Sequence, residues 1–172
     1  MADVLLIIDV QQELTDALDP ERRAEFFGTL VPLLERARGA GVPVVYVRDA
    51  SVSPGTPGWE IPREIAPRPG EPIIDKHFGD AFEETPLAEV LTGLGIDRVI
   101  AAGMQTDFCV NATVRGAGDH GYAVTLVEDG HATYASEGRS EAEIRADMHR
   151  EVAARGVRLV PAVELFSSVA SA

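Results

Sequence analysis

Short apolar runs alternate with longer amphipathic segments along this chain. The apolar runs are typical of buried strands, which are predicted at 3–9, 43–48, 73–75, 98–103, 123–127 and 157–160. Segments with apolar positions every three or four residues predict helices at 20–39, 86–94, 107–119 and 140–155. Residues 49–72 contain six of the eleven prolines and no clear period, which indicates a long irregular loop.

Strands that alternate with helices predict a parallel sheet covered by helices on both faces. Right-handed crossovers favour a Rossmann-like, doubly wound, mainly parallel six-stranded sheet of the α/β class. The 172 residues are too few for an eight-unit α/β barrel and fit a single domain over 1–172. In such a sheet the functional site lies at the carboxyl ends of the strands, so the residues that follow each strand are the candidates.

The charge balance narrows the classes of partner. The chain has 15 basic and 28 acidic residues and a net charge of −13 at pH 7. Nucleic acids and anionic membranes bind basic surfaces, so we expect neither as a partner. No apolar window is long enough to cross a bilayer, and the N-terminus lacks the features of a signal peptide. A lone cysteine excludes an intramolecular disulfide and suits a reducing compartment, so we expect a cytoplasmic protein.

Three chemically distinct side chains stand at the ends of three predicted strands. Asp9 ends the first apolar run, and Lys76, the only lysine beside fourteen arginines, follows the third strand. Cys109 falls in the first turn of the predicted helix 107–119, where Thr106 or Asp107 is expected to cap the helix. Taken singly they are explained as a turn-forming acid, a surface lysine and a small core side chain. Together they supply a general base, a positive charge and a nucleophile, and the charge is expected to lower the thiol's pKa.

The chain resembles the isochorismatase-like superfamily of cysteine hydrolases, which includes nicotinamidases, N-carbamoylsarcosine amidase and streptothricin hydrolase-like enzymes. The resemblance covers nearly the whole chain, through LLIIDVQQ, GTPGWEI, PIIDKHFGDAFEETPL, VIAAGMQTDFCVNATVRGA, GYAVTLVEDGHAT and VRLVPAVEL. It implies a Rossmann-like α/β fold, with Cys109 as the nucleophile, Asp9 as the general base and Lys76 as the third member of the triad. It also implies a cis peptide between Met104 and Gln105, and an oxyanion hole formed by the amides of Gln105 and Cys109.

The resemblance also implies an activity. Nicotinamidases hold a metal with an Asp-x-His pair after the second strand, whereas Asp49 is followed by Ala50 and Ser51 here, and 49–75 contains no histidine. We therefore expect no metal and no cofactor. Relatives that act on vinyl ethers lack the cysteine, so Cys109 favours hydrolysis of a C–N bond in a small amide, ureido or lactam substrate through a thioester. Alternatives are a vinyl-ether hydrolase, a catalytically silent interaction or regulatory protein, and a nucleotide-binding domain; the last lacks G-x-G-x-x-G after the first strand.

Four side chains are candidates for the substrate pocket. Leu14 stands where the family usually has an aromatic residue, and Trp59 lies in the proline-rich loop. Phe82 follows the third strand, and Phe108 directly precedes the nucleophile. Each is also explained as an anchor in the core or the loop. Because neighbouring subunits often complete the pocket in this family, we expect a homo-oligomer, either a dimer or a tetramer, that acts on a small molecule.

Overall fold

The computed structural model of the protein describes residues 1–167 and contains one six-stranded sheet. The strands are β1 (Asp3–Ile8), β2 (Val44–Asp49), β3 (Ile73–Lys76), β4 (Arg98–Met104), β5 (Ala123–Ala132) and β6 (Arg158–Val160). The helices are α1 (Gln12–Asp16), α2 (Pro20–Gly39), α3 (Leu87–Gly93), α4 (Asn111–Asp119) and α5 (Glu141–Ala154). All strand pairs are parallel, in the order β3-β2-β1-β4-β5-β6. The predicted Rossmann-like, doubly wound sheet is therefore confirmed.

The sheet separates two hydrophobic clusters, as expected for a sheet that is covered on both faces. Along β1, Val4, Leu6 and Ile8 face one cluster, whereas Leu5 and Ile7 face the other, which is the period of two of a strand. Helices α3, α4 and α5 cover the first face, and α2 covers the second. Every residue of β1 from Val4 onward is buried, which explains its uninterrupted apolar run.

Three local features differ from the prediction. Helix α1 was not predicted, because five residues are too few to establish a helical period. Strand β5 continues to Ala132, well beyond the predicted 127, through polar residues that pair with the end of β4. The loop 49–72 contains two short 3₁₀ turns, Pro57–Trp59 and Arg63–Ile65. No helix in the described part of the chain combines the length and the apolar character needed to span a membrane.

The helix ends largely follow their sequence signals. Helix α2 begins at Pro20, after Asp19 caps it by accepting a hydrogen bond from the amide of Glu21. Helix α5 begins with a capping box, in which Ser140 and Glu143 bond to one another's backbone amides. Residues 168–172, which the single-domain prediction includes, lie outside the described residues.

The centre of the sheet determines where a site can form. The strand order reverses direction between β1 and β4, so the chain leaves these neighbours toward opposite faces, and in sheets of this type ligands bind at the carboxyl ends of such strands. The two strands approach closely at Gly103, which has a φ of +138°. A Cβ atom there would lie 2.0 Å from the carbonyl oxygen of Ile8, so only glycine fits at this position.

Candidate active site

Asp9 lies directly after β1, at the carboxyl edge of the sheet. Its backbone has a φ of +50°, in the left-handed region that Asp tolerates better than most residues. The side chain is 1% exposed, and neither carboxylate oxygen has a hydrogen bond within the described residues. Lys76 Nζ lies 2.9 Å from Asp9 Oδ2 at an angle that does not suit a hydrogen bond, so the contact is an ion pair. This positive charge offsets the cost of burying the carboxylate.

Lys76 is the last residue of β3, and its side chain is completely buried. The strand alternates, with Ile74 and Lys76 pointing inward and Ile73 and Asp75 outward. The ammonium donates to Asp49 Oδ2 at 2.9 Å and to the carbonyl of Phe78 at 3.0 Å. It also lies 3.2 Å from Cys109 Sγ. The interpretation of Lys76 as a surface lysine is therefore wrong, because the inward face of β3 carries it into the site.

Cys109 lies in a wide, π-type turn, Thr106–Val110, that connects β4 to α4. The carbonyl of Gln105 accepts hydrogen bonds from the amides of Phe108 and Val110, which holds this turn together. The half-buried thiol lies 3.2 Å from Lys76 Nζ, so the three residues at the ends of β1, β3 and β4 converge. The peptide bond between Met104 and Gln105 is cis, at the position that the resemblance implies.

The expected helix caps are bonded elsewhere. Thr106 Oγ1 lies 2.9 Å from His131 Nδ1, and Asp107 Oδ1 accepts a hydrogen bond from Thr133 Oγ1 at 2.8 Å. The prediction that Thr106 or Asp107 caps the helix is therefore wrong. The partners are His131 in the extension of β5 and Thr133 directly after it, and together they fasten the two residues that follow Gln105 to the neighbouring strand.

His131 and His149 form a pair behind this turn that the sequence analysis did not identify. Their Nε2 atoms lie 2.9 Å apart, and the rings meet edge to face with centroids 5.0 Å apart. Burial, reinforced by Arg145, holds the pKa of each imidazole below its usual value. Both rings are therefore neutral at pH 7, and one Nε2 donates while the other accepts. The sequence offered little signal, because Glu128, Asp129 and Gly130 separate His131 from the apolar run of β5.

Burial dominates the electrostatics of the triad. It raises the pKa of Asp9 to about 6, although the charge of Lys76 opposes this shift. Burial alone would lower the pKa of Lys76, but the charges of Asp9 and Cys109 outweigh it and raise that pKa. Burial, reinforced by the charge of Asp9, also raises the pKa of the Cys109 thiol. The expectation of a lowered thiol pKa is therefore wrong: at rest the sulfur keeps its proton, and Asp9 is the group that titrates near neutrality.

Asp49 is a fourth member of the cluster, which the sequence analysis considered only as a metal ligand. It stands opposite Lys76 in the register of β2 and β3. Its Oδ2 accepts from Lys76 Nζ at 2.9 Å and lies 3.4 Å from Cys109 Sγ. Gln11, which is buried, positions the backbone of Asp49 by accepting from its amide at 2.8 Å. Asp49 and Lys76 meet because β2 and β3 are neighbours in the sheet, and this strand order is not visible in the sequence.

The cluster does not fit a metal ion. Among the described residues, one group of three possible ligands is close enough, namely Asp9, Asp49 and Cys109, whose ligand atoms lie within 4.8 Å of one another. The ammonium of Lys76 lies 2.9 Å from both carboxylates, so a positive charge already occupies the space between them. A divalent cation there would be repelled by Lys76 at very short range.

The four pocket candidates lie in different environments. Phe108 directly precedes the nucleophile and is 61% exposed. Trp59 is half-buried under the guanidinium of Arg48, which lies 3.7 Å from its ring centroid, and its carbonyl accepts from Gln11. Leu14 is half-buried against the core cluster on the α2 face.

Phe82 is buried in the core cluster, and its place in the pocket wall stays a prediction. Its ring is 7% exposed and stacks on His120 with centroids 4.7 Å apart. His120 follows the last residue of α4, whereas Cys109 precedes the first, so the length of the helix separates Phe82 from the thiol. An apolar residue after a strand serves the core as readily as a pocket, and the burial of Phe82 favours the core interpretation.

The fold and the cluster together define a class: an α/β protein that carries an aspartate, a lysine and a cysteine in contact at the carboxyl edge of a parallel sheet. Within this class, the chain belongs to the isochorismatase family, since the model of the isochorismatase domain matches residues 3–156.

Known proteins of this family resemble the chain over most of its length. Streptothricin hydrolase of Streptomyces noursei is 36% identical over 136 residues, which cover 76% of this chain and 54% of that protein. The chain spans about half the length of the two streptothricin hydrolases that it matches.

Solved structures give the same family. An isochorismatase from Pseudomonas putida has a TM-score of 0.86 and 31% identity, covering 95% of this chain and 89% of that one. N-carbamoylsarcosine amidase from Thermoplasma acidophilum has a TM-score of 0.79 and 26% identity, covering 94% and 97% respectively.

Proposed function

We propose that this protein is a metal-independent cysteine hydrolase that cleaves a C–N bond of a small amide, ureido or lactam substrate. The observation that carries this proposal is the contact between three groups of complementary chemistry. Lys76 Nζ lies 2.9 Å from Asp9 and 3.2 Å from the thiol of Cys109, in a crevice where ligands bind in sheets of this type. Similarity to relatives named for amide cleavage, N-carbamoylsarcosine amidase and maleamate amidohydrolase, supports a C–N bond as the bond that is cleaved.

The first half of the reaction transfers the acyl group to the enzyme. Asp9 takes the proton from the Cys109 thiol, and the sulfur attacks the substrate carbonyl, forming a C–S bond. The amides of Gln105 and Cys109 serve as the oxyanion hole for the tetrahedral intermediate. Asp9 then gives its proton to the departing nitrogen as the C–N bond breaks. Ammonia or an amine leaves, and a thioester on Cys109 remains.

The second half releases the acid product. Asp9, again ionised, takes a proton from a water molecule, whose oxygen attacks the thioester carbonyl. The C–S bond breaks and the proton returns to the sulfur, which restores the resting thiol. A base with a pKa near 6 suits both halves, because it is ionised at neutral pH and its conjugate acid is strong enough to protonate the leaving group.

Domain organisation, location and partners follow from the same interpretation. We propose that residues 1–172 form one domain, that the protein is cytoplasmic, and that its partner is a small molecule rather than a nucleic acid or a membrane. The net charge of −13 supports the last point. A homo-oligomer is proposed as well, and Phe108, exposed beside the thiol, is the side chain on which a second subunit would close the site.

The test is a panel of small amides, ureido compounds and lactams, assayed by release of ammonia or amine. We expect turnover of at least one compound, and mass spectrometry after acid quenching should detect an acyl group on Cys109. Cys109→Ala should abolish turnover, whereas Thr92→Ala, on the exposed side of α3, should not change it. If Cys109→Ala turns over a substrate of the wild-type protein at the wild-type rate, the nucleophile assignment is wrong. If no compound reacts and a ligand binds both forms equally, a catalytically silent binding protein is the better interpretation.

A further inference from the structure

Asp49 contacts two of the three triad residues, yet the reaction described above gives it no role. Its Oδ2 is shared between the ammonium of Lys76, at 2.9 Å, and the sulfur of Cys109, at 3.4 Å. Its other oxygen, Oδ1, accepts a hydrogen bond from the amide of Ser51 at 2.8 Å. Both oxygens are therefore held, and the carboxylate has one orientation.

The two carboxylates of the site differ in basicity. Burial opposes the ionisation of Asp49, but the hydrogen bonds from Ser51 and Lys76 outweigh it and lower its pKa. Burial raises the pKa of Asp9, and the charge of Asp49 adds to that rise. When the pKa values of two acids are moved apart in this way, one acid stays ionised and the other exchanges protons.

The other charged groups near the thiol are bonded elsewhere or have another role. The charges of Asp9 and Lys76 act on the pKa of the thiol, and Asp49 contacts the sulfur directly at 3.4 Å. Asp80, which Lys76 also influences, accepts a hydrogen bond from the amide of Phe82. Asp107, on the turn that carries Cys109, is bonded to Thr133. Asp75, next to Lys76, faces outward and pairs with Arg48.

We propose that Asp49 is a positioning residue that holds the ammonium of Lys76 in place and keeps the proton on Cys109 sulfur until a substrate arrives. A permanent negative charge beside the sulfur disfavours the thiolate. The same charge also partly neutralises the ammonium of Lys76, which then stabilises a thiolate less. Asp49 is too weak a base to take the proton itself, so the proton passes to Asp9 when the substrate carbonyl is in reach. This role rests on the proposed function and adds a control on the reactivity of its nucleophile.

The test uses the reactivity of the only cysteine, and it requires no substrate. Alkylation by iodoacetamide is followed at several pH values by intact mass. Asp49→Asn keeps the shape and the acceptor for Lys76 but removes the charge. We expect Cys109 to react about tenfold faster at pH 7 and the midpoint of the pH profile to fall by about one unit. An unchanged or slower reaction would overturn the proposal.

Asp3→Asn is the matched control. Asp3 and Asp49 have the same side-chain exposure of 16%, and each is ion-paired, Asp3 with Arg98 at 2.6 Å. Asp3 begins β1 at the opposite edge of the sheet, so its substitution changes the net charge equally but not the field at the thiol. We expect its alkylation rate to match the wild-type rate. An equal acceleration in both variants would show an effect of net charge and contradict the proposal.

Two further measurements keep the outcomes distinct. If thermal unfolding shows that Asp49→Asn does not fold, Asp49→Ser, which also removes the charge, is tested by the same assay and must show the same acceleration. With a hydrolysed substrate, the acid limb of kcat/KM in the Asp49→Asn variant should move to lower pH, whereas a merely structural role would lower the rate equally at all pH values. Faster alkylation without any hydrolysis would support this role of Asp49 and contradict the proposed function; hydrolysis without faster alkylation would do the reverse.

Discussion

Lys76 is the residue on which the packing of the site depends most. Its side chain is completely buried between two carboxylates and a thiol. An arginine cannot take its place without a larger cavity. Its planar guanidinium also cannot direct three N–H donors around one atom, as the ammonium of lysine does. The preference for arginine elsewhere in the chain therefore makes this single lysine informative.

Replacing Lys76 by Met should destabilise the fold by about 3–5 kcal/mol, because the substitution leaves two carboxylates without their shared counter-charge. Urea denaturation followed by circular dichroism measures the change. The control is Arg98→Met, which removes one partner of the partly exposed pair with Asp3 and should cost about 1 kcal/mol or less. Equal losses of unfolding free energy in the two variants would contradict the interpretation that Lys76 compensates two buried carboxylates.

The ionisation of Asp9 should set the acid limb of the pH profile. Because burial raises the pKa of Asp9 to about 6, the group is protonated below that pH and cannot take the proton of Cys109. We expect kcat/KM to rise about tenfold per pH unit below pH 6 and to level off above it. The measurement is the initial rate of ammonia release between about pH 4.5 and about pH 8, an interval that spans the pKa of Asp9. A flat profile across this interval would exclude Asp9 as the essential base.

At the scale of elements, the turn Thr106–Val110 is what brings the nucleophile to the edge of the sheet. Strand β4 supplies its start, and the extended end of β5 holds it through the bonds to Thr106 and Asp107. The His131–His149 pair then connects β5 to α5. Strand β4, the end of β5 and helix α5 thus fix one turn together.

His131→Leu should cost about 2–3 kcal/mol of stability, because the hydroxyl of Thr106 and the ring of His149 each lose a buried partner. Chemical denaturation gives the difference. His77→Leu is the matched control, since His77 is exposed, and it should change stability by less than about 0.5 kcal/mol. If the two variants are equally stable, the hydrogen bonds of His131 contribute nothing to the fold.

The whole molecule presents an acidic surface with an apolar spot at the site. Phe108 is 61% exposed and Phe78, whose carbonyl binds Lys76, is 40% exposed. Exposed aromatic side chains beside a site are typical of surfaces that another chain covers. The net charge of −13 opposes self-association at low salt, since like charges repel over a Debye length of about 10 Å at 0.1 M.

Sedimentation velocity in moderate salt should therefore give two or four times the chain mass of 18.4 kDa. Phe108→Glu should shift the equilibrium toward the monomer, because it places a charge in the apolar contact. Val163→Glu is the control, as Val163 is 70% exposed near the C-terminal end and should leave the assembly unchanged. A wild-type protein that sediments as a monomer would contradict the proposed oligomer.

Much of the fold could be predicted from local patterns in the sequence. The sheet class followed from apolar runs that alternate with amphipathic helices, and α2 and α5 lie within one residue of the predicted 20–39 and 140–155. The end of β5 was missed, because Glu128 and Asp129 interrupt its apolar run and only its pairing with β4 extends it. The sequence left the role of Phe82 open for a related reason, since composition does not distinguish a ring in the core from a ring in a pocket.

The sequence by itself determined the class of the fold, the chemistry available at the strand ends and, through its resemblance to a family, three candidate residues. These properties are local or compositional, so a single chain displays them. Only the tertiary structure decided that Asp49 stands beside Lys76, that His131 and His149 support the turn, and that the thiol rests in its neutral form. Strand order and register bring these groups together, and the resulting burial decides which of the opposing charges prevails.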